Sequence, residues 1–407
     1  MRMSKKKEIV PKLRFPEFSK SYCGITRLNA LADKITERNK GDDISRVFTN
    51  SATEGVVDQE EYFDRDIANK NNLTNYFVVE KGDYVYNPRI STTAPVGPIS
   101  KNKLGMVVMS PLYTVFRFRN KENDFYEHFF LTNLWHAYIK NLSNTGARHD
   151  RITISVDNFM KMPLPYTSPK EEQKIADCLS SIDELIDAES RKLKALEKYK
   201  KGLMQKLFPA EGKTLPEWRF PEFRGKSEWR IKPLGKICTN YDSRRIPITE
   251  KDRVKGEIPY IGASGVIDYI NDFIFDEDLL CVSEDGANLV ARTYPIAFSI
   301  SGKTWVNNHA HVLKFSHNYT QNIVESYLNM INLQDFLTGM AQPKLNRAKL
   351  DIIPIPLPEE EEQQKIADCL SEIDTMIKEQ SNKVEQLKAH KKGLMQGLFL
   401  FLEEADV

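Results

Sequence analysis

Several features that define other protein classes are missing from this 407-residue chain. No stretch of about 18 apolar residues occurs, so no membrane-spanning helix is predicted. The five cysteines are an odd number without a Cys-x-x-Cys pair, which argues against a disulfide framework and against a zinc knuckle and favours a cytoplasmic location. No apolar run follows the basic amino end, so no export signal is predicted.

The chain also has no large excess of positive or negative charge. The formal net charge is only +1, so composition gives no global support to nucleic-acid binding, and any basic surface has to be local. A chain of this length and ordinary apolar content is expected to form two or three domains. Composition therefore predicts a cytoplasmic multi-domain protein and goes no further.

What the chain does contain is an internal repeat. Residues 173–208 and 364–399 agree at 22 of 36 positions at a constant offset of 191. A shorter echo precedes each half, PKLRFPEF at 11–18 and PEWRFPEF at 216–223. The long segments in between share no visible sequence until MPLP at 162–165 and IPLP at 355–358. A duplicated scaffold thus carries two divergent segments.

Each repeat has an apolar seam at alternating spacings of four and three, which is typical of a helix that pairs with another helix. Prolines and acidic residues precede each helix, and Pro209 and Gly212 predict a stop after the first. The nearest partner is the other copy, and the simpler alternative is two ordinary core helices. The predicted pairing residues are Ile175, Leu179, Ile182, Ile186, Leu193, Leu196, Leu203 and Leu207 in the first copy and Ile366, Leu370, Ile373, Ile377, Val384, Leu387, Leu394 and Leu398 in the second.

Antiparallel pairing would relate the two halves by a pseudo-twofold axis. We place its midpoint near residues 194–195, which predicts that Glu189 lies close to Lys391 and Lys200 close to Gln380. The predicted class is therefore α+β, with two α/β domains alternating with two long helices that pair as an antiparallel coiled coil. The predicted divisions are a leader (1–19), a first variable domain (20–165), a helical spacer (166–210), a linker (211–223), a second variable domain (224–358) and a second helical spacer (359–402).

Both variable segments run from short strands to a helix and then to a polar loop. Strands are predicted at 76–80, 83–87, 107–109 and 113–118 in the first, and at 258–261, 279–283, 296–299 and 310–315 in the second. Helices are predicted at about 122–141 and 321–337. The common order suggests one small fold under two sequences.

Polar residues in these segments are candidates for DNA contact, because Arg matches guanine edges, Asn and Gln match adenine, and Lys neutralises phosphate. For any single residue, the alternative is a solvated surface charge. Major-groove approach is expected, since only that groove distinguishes all four base pairs. The candidates are Arg89, Lys101, Arg117, Arg148, His149 and Arg151 in the first segment and Arg244, Arg245, Arg292, Lys303, Asn307, Asn308, Gln342, Lys344, Asn346 and Arg347 in the second.

With these motifs the chain resembles the specificity subunits of type I restriction-modification systems. The resemblance lies in RFPEF (14–18 and 219–223), in EEQKIADCLSSID and EQQKIADCLSEID (171–183 and 362–374), and in KKGLMQ (200–205 and 391–396). GDYVYNP (82–88), YIGASG (260–265) and WVNNHAHVL (305–313) also look like motifs of that family.

The resemblance implies two target-recognition domains that each bind one half of a split site in double-stranded DNA, with the helices as a ruler for the spacer. It also implies two methyltransferase subunits and two motor-nuclease subunits as partners. No cofactor is expected on this chain, because S-adenosylmethionine would be bound by the methyltransferase partner. The alternative is a two-headed adaptor that binds other proteins and uses the coiled coil as a spacer.

Motifs for catalysis are weak. An adenine methyltransferase needs Asn/Asp-Pro-Pro-Tyr/Phe, and Asn87-Pro88-Arg89 lacks the second proline and the aromatic ring. The segment 297–304 fits a relaxed phosphate-binding loop, but Ala297 replaces the first glycine and strand-like residues follow instead of a helix. His309 and His311 lack Cys or acidic partners at ligand spacing, so no metal site is predicted. The sequence therefore predicts a protein without catalysis of its own.

Overall fold

The chain forms two compact units, Met1–Ala188 with Val384–Val407 (unit 1) and Glu189–Lys383 (unit 2). A computed structural model describes residues 10–41, 43–62, 73–145, 150–339 and 342–400. No helix within these residues is both long enough and apolar enough to cross a membrane. The boundary between the units falls inside each of the two long helices, so both units contain a part of each helix.

The described residues of unit 1 form two four-stranded sheets and two strand pairs. One sheet has the order β4-β3-β8-β5 and the other β2-β9-β6-β7, while β1 pairs with β12 and β10 with β11. The strands are β1 (Cys23–Arg27), β2 (Ala32–Lys34), β3 (Val47–Ser51), β4 (Gly55–Asp58), β5 (Phe77–Val79), β6 (Tyr84–Tyr86), β7 (Ile99–Lys101), β8 (Val107–Met109), β9 (Thr114–Phe118), β10 (Asn144–Thr145), β11 (Ile152–Thr153) and β12 (Pro163–Thr167). The helices are α1 (Leu28–Leu31), α2 (Gln59–Tyr62), α3 (Asp124–Phe130), α4 (His136–Leu142), α5 (Val156–Met160), the first part of α6 (Pro169–Leu207) and the last part of α10 (Glu360–Leu398).

Unit 2 repeats this topology. Its sheets have the orders β16-β15-β20-β17 and β14-β21-β18-β19, and β13 pairs with β22. The prediction of one small fold under two sequences is therefore confirmed. The strands are β13 (Arg230–Pro233), β14 (Thr239–Asn240), β15 (Lys255–Gly262), β16 (Gly265–Ile270), β17 (Phe275–Asp276), β18 (Leu279–Ser283), β19 (Ala297–Ile300), β20 (Lys303–Val306), β21 (Ala310–Lys314) and β22 (Pro354–Leu357), and the helices are α7 (Asn288–Ala291), α8 (Asn318–Met330), α9 (Arg347–Asp351) and the first part of α10 (Glu360–Leu398).

The central strands are buried on both faces, which explains their continuous apolar sequences. In β6, Tyr84 and Tyr86 pack into a core with the helices, while Val85 points into the core between the two sheets. The corresponding strand β18 alternates in the same way, with Leu280 on the helix side and Cys281 between the sheets. The central sheet of each unit therefore has a core on either face, and a smaller apolar cluster lies around Val108 in unit 1 and around Tyr260 in unit 2.

Both predicted helices of the variable segments have different bounds. The predicted helix 122–141 is interrupted between α3 and α4, where the Thr132 hydroxyl donates to Phe129 O (2.7 Å) and accepts from Leu134 N (3.3 Å). A hydroxyl that competes for backbone groups disfavours continued helix. The helix predicted at 321–337 begins at Asn318 and ends at Met330, where Arg292 donates to Leu328 O and Ile331 O at its carboxyl end.

The long helices α6 and α10 have 39 residues each, about 58 Å at about 1.5 Å per residue. They pair antiparallel, because Asp183 binds Lys391 in unit 1 while Lys200 binds Asp374 in unit 2. The predicted direction is confirmed. Asp183 and Asp374 are equivalent positions of the repeat, as are Lys200 and Lys391.

The predicted register is wrong. Lys391 binds Asp183 and not Glu189, and Lys200 binds Asp374 and not Gln380. Glu189 instead accepts from Gln380 (2.6 Å) and forms an ion pair with Lys383 (2.5 Å). An apolar seam repeats itself along the helix, so several registers bury it equally well, and the polar pairs select one.

All sixteen predicted pairing residues are buried or half-buried. Those at the helix ends also belong to the domain cores: Ile175 and Leu398 lie in the core of unit 1, and Leu207 and Ile366 in the core of unit 2. The alternative of ordinary core helices therefore describes the ends of the seam as well as pairing does.

The RFPEF motif forms the same junction twice. In unit 1 the Arg14 guanidinium binds both oxygens of Glu171 at 2.7 Å, and Leu13 N donates to Gly397 O. In unit 2 Arg219 binds both oxygens of Glu362 (2.7 and 2.6 Å), and Trp218 N donates to Lys206 O. Each motif thus joins the beginning of one long helix to the end of the other.

Candidate nucleic-acid interface

In unit 1, two candidate residues that are far apart in sequence become neighbours. Arg89 follows β6, Arg151 precedes β11, and the two form an antiparallel β-bridge. Both side chains are exposed, and they line a cavity of about 420 Å³ together with Asn50, Asn87 and Leu112. The backbone bonds that fix the crossing run from Ile90 N to Asp150 O (3.0 Å) and from Ile152 N to Pro88 O (2.9 Å).

Unit 2 builds the same crossing from unrelated residues. Asp285 follows β18 and forms an antiparallel bridge with Lys344. The supporting backbone bonds run from Gly286 N to Pro343 O (3.2 Å) and from Leu345 N to Glu284 O (2.8 Å). Arg89 and Asp285 therefore occupy equivalent positions, as do Arg151 and Lys344.

A third equivalent position lies before the next strand of the sheet. In unit 1 Leu112 N donates to the Ser110 hydroxyl (3.3 Å), and in unit 2 His309 N donates to Asn307 Oδ1 (2.8 Å). Leu112 and His309 are both exposed. The His309 ring binds the Asp285 carboxylate at 2.8 Å, so two of the three equivalent positions touch in unit 2.

A charged network supports the crossing in unit 2. Arg245 donates to Glu284 (2.8 Å), which also forms an ion pair with Lys344 (3.2 Å). His311 binds Asp242 (2.6 Å) through one ring nitrogen and Leu345 O (2.7 Å) through the other. Burial raises the pKa of Asp242, but the hydrogen bonds from His311 and Val312 N outweigh it and hold that pKa below its usual value. The network pairs the cationic and anionic side chains of this surface and links them to the backbone at Leu345.

Several candidate cations are bound within the protein. Arg117 forms a two-pronged pair with the buried Asp83 (2.5 and 2.9 Å), and this hydrogen bonding raises the pKa of Arg117. Lys101 lies 2.5 Å from Asp124. The three Arg292 bonds to backbone carbonyls favour a structural role for that residue, and its backbone has the positive φ of 52°. Their contact with DNA stays a prediction.

The other candidates have mixed surroundings. Arg244 lies over the rings of Tyr241 and Phe275 and binds Glu277 (3.1 Å), while Lys303 lies over the Phe273 ring. Asn307 is buried, whereas Asn308 and Gln342 are exposed. Asn346 accepts from Lys349 N as the cap of α9, and Arg347 lies 3.6 Å from Asp351. Arg148 and His149 lie outside the described residues.

Sequence reasoning missed Leu112, Glu284 and Asp285 and considered His309 only as a metal ligand. Their position in the sequence could have identified them, since each lies just outside a strand-like run. A search limited to basic and amide side chains excludes acidic and apolar side chains, although both can contact bases.

Two of the three sequence features that were considered for other chemistry can be compared with the structure. The segment 297–304 forms β19, a turn and the start of β20, so no helix follows the loop. His309 and His311 are bound to separate carboxylates, those of Asp285 and Asp242. No group of three or more potential metal ligands was found among the described residues.

Comparison with known proteins decides the family. The model of the type I restriction modification DNA specificity domain matches twice, over residues 33–198 and 226–388. The chain belongs to this family. Each match covers most of one structural copy, and both RFPEF motifs lie outside the matches.

Curated relatives carry the same description. A candidate type I restriction enzyme specificity subunit of Haemophilus influenzae is 33% identical over 153 residues, which span 38% of this chain and 39% of the relative. The type I restriction enzyme MjaVIII specificity subunit of Methanocaldococcus jannaschii is 27% identical over 308 residues, or 68% of this chain and 70% of the relative. The matched part is thus less than half of the Haemophilus protein and about two thirds of the other.

Solved structures show the same fold. The S subunit of a type I restriction-modification system from M. genitalium has a TM-score of 0.62 at 14% identity and covers 96% of this chain and 99% of that one. A chain from a structure of type I R-M complex assembly and conformational transition has a TM-score of 0.54 at 15% identity and covers 92% of this chain and 96% of that one.

Proposed function

We propose that this chain is the sequence-specific DNA-binding subunit of a type I restriction-modification complex, and that each unit binds one half of a split site. One observation carries the proposal. The two units share a backbone framework but present different side chains at three equivalent positions, the exposed Arg89, Leu112 and Arg151 against the half-buried Asp285 and the exposed His309 and Lys344. Two copies of one framework with different surface chemistry suit two different half-sites.

The chain would act without catalysis of its own. Two methyltransferase subunits would bind S-adenosylmethionine and methylate adenine, and two motor-nuclease subunits would join for restriction, all in the cytoplasm. The charged outer faces of α6 and α10 would bind these partners. Since both helices run through the unit boundary, their length would set the unread spacer.

The test is co-expression with the candidate methyltransferase, followed by single-molecule mapping of methylated adenines. A split motif is expected that disappears without this chain. Exchange of residues 24–162 for those of a relative should change one half of the motif and leave the other half and the spacer intact. An inactive methyltransferase in the same complex is the control.

Two outcomes contradict the proposal. Absence of new methylation despite a stable complex with an active partner favours the two-headed adaptor. A motif whose two halves both change after the exchange excludes independent binding of half-sites. In the first case the steep salt dependence expected of phosphate contacts should also be missing from DNA-binding isotherms.

A further inference from the structure

The three equivalent positions carry different side-chain chemistry in the two units. Unit 1 offers two guanidinium groups and an apolar side chain, at Arg89, Arg151 and Leu112. Unit 2 offers a carboxylate, an imidazole and an ammonium group, at Asp285, His309 and Lys344. Because the backbone frame is the same, these differences are not by-products of different local folds.

The unit 1 cations are available for a ligand. Arg89 forms no ion pair with any described residue, and Arg151 lies 4.0 Å from Asp150, beyond hydrogen-bond distance. Arg117 and Lys101, by contrast, are bound to Asp83 and Asp124. Guanine is the base whose major-groove edge carries two acceptors, O6 and N7, and an arginine can bind both at once. The exposed Leu112 beside them suits a thymine methyl group.

The unit 2 carboxylate is held in place and partly open. The His309 ring binds both oxygens of Asp285, at 3.0 and 2.8 Å, and the Asp285 side chain keeps 21% of its surface exposed. A carboxylate can only accept, so it matches a base with an exocyclic amino group, cytosine N4 or adenine N6. A side chain fixed before binding loses little freedom in the complex.

We propose that these three positions are the specificity-determining site of each unit. Unit 1 reads a guanine through Arg89 and Arg151, and unit 2 reads an amino-bearing base, cytosine or adenine, through Asp285 held by His309. This inference rests on the proposed function, and it names the base chemistry at one position of each half-site.

The test uses the full chain in complex with its methyltransferase and compares methylation motifs of single variants. Arg89→Ala and Arg151→Ala should each relax a guanine position in the half-site of unit 1 only. Asp285→Ala should relax a cytosine or adenine position in the half-site of unit 2 only. The expected loss of discrimination at the affected position is roughly 5- to 160-fold, equivalent to about 1–3 kcal/mol.

Arg119→Ala is the matched control, because Arg119 is an exposed arginine of unit 1 that is paired with Asp33 at 2.6 Å. Its motif should equal that of the wild type. Asp285→Asn preserves the volume of the side chain and guards against a folding defect of the alanine variant. It should favour adenine at the same position, since Asn can bind adenine N6 and N7 together.

Wild-type motifs from Arg89→Ala and from both Asp285 variants, in complexes of normal stability, would overturn the inference while leaving the proposed function intact. Relaxation of both half-sites by a single variant would overturn it as well. So would a wild-type motif without guanine in the half-site that changes when residues 24–162 are exchanged.

Discussion

Replacement of Arg219 by alanine should lower the free energy of unfolding of unit 2 by more than the loss of an exposed ion pair would. Its guanidinium binds both oxygens of Glu362 at 2.7 and 2.6 Å and donates to two backbone carbonyls, Lys226 O and Ser227 O. The Arg219 side chain is 9% exposed and that of Glu362 is 1% exposed. Arg219→Ala leaves a buried carboxylate at the start of α10 without its counter-charge.

The burial of both side chains determines how large the loss in the free energy of unfolding should be. Loss of one partner of a buried ion pair costs about 3–5 kcal/mol, because the remaining charge is desolvated and uncompensated. The neighbouring pair Lys365–Glu222 is the matched control, since it has a longer distance of 3.7 Å and side chains that are 52% and 49% exposed. Lys365→Ala should cost no more than about 1 kcal/mol.

Urea denaturation of the full chain measures both variants, with tryptophan fluorescence as the probe. Three of the four tryptophans, Trp218, Trp229 and Trp305, lie in unit 2, so the signal reports mainly on that unit. The double variant Arg219→Ala/Glu362→Gln should recover part of the loss, since it removes the stranded charge. A cost for Arg219→Ala equal to that for Lys365→Ala would refute the reasoning.

Three further predictions concern the helices and the core of unit 1. Leu196→Asp places a charge on the half-buried seam and should abolish assembly and spacer selection, whereas Leu185→Asp at an exposed position should be tolerated. Gel filtration and motif mapping compare the two variants. Normal stability and a wild-type spacer for Leu196→Asp would exclude the role of the helices as a ruler for the spacer. Burial, and after it the nearby Lys391, lower the pKa of His128 to about 4. Because the imidazole of the unfolded chain gains its proton near pH 6.5, the free energy of unfolding should fall by about 2 kcal/mol between pH 7.5 and 5. His128→Gln should remove this part of the pH dependence in urea titrations, and an unchanged pH dependence would contradict its assignment to His128. Exchange of charges in Asp183→Lys/Lys391→Asp should restore thermal stability that either single variant loses, and additive losses would contradict the register.

The repeat and the direction of helix pairing were predictable because their signals are local or periodic. Apolar spacing within one helix is enough to predict a partner, and a duplicated helix in one chain supplies it. The register was not predictable from the seam, since the choice depends on whether Asp183 or Glu189 binds Lys391, side chains on different helices.

The sheet topology could not be predicted from the sequence for the same reason. Nor could the sequence show which arginines and lysines are paired with a carboxylate and which are available for a ligand. Arg117 and its partner Asp83 are 34 residues apart, and Arg14 and Glu171 are 157 apart. Nothing near either arginine in the sequence reveals its carboxylate. Many strands are only two or three residues long, such as β5 and β6, so their partners are set by long-range packing that no short window contains.

Because of Phe399, the two units obtain the last residue of their cores at different times during translation. Phe399 is fully buried against Phe125 (5.0 Å between ring centres) and Phe129 (5.6 Å), in the core of unit 1. Unit 2 is one continuous stretch, Glu189–Lys383, and holds all its residues while the ribosome is still making the last turns of α10. The first part of unit 1 is translated before unit 2, but its Phe125 and Phe129 cannot be covered by Phe399 until all residues of unit 2 have been translated.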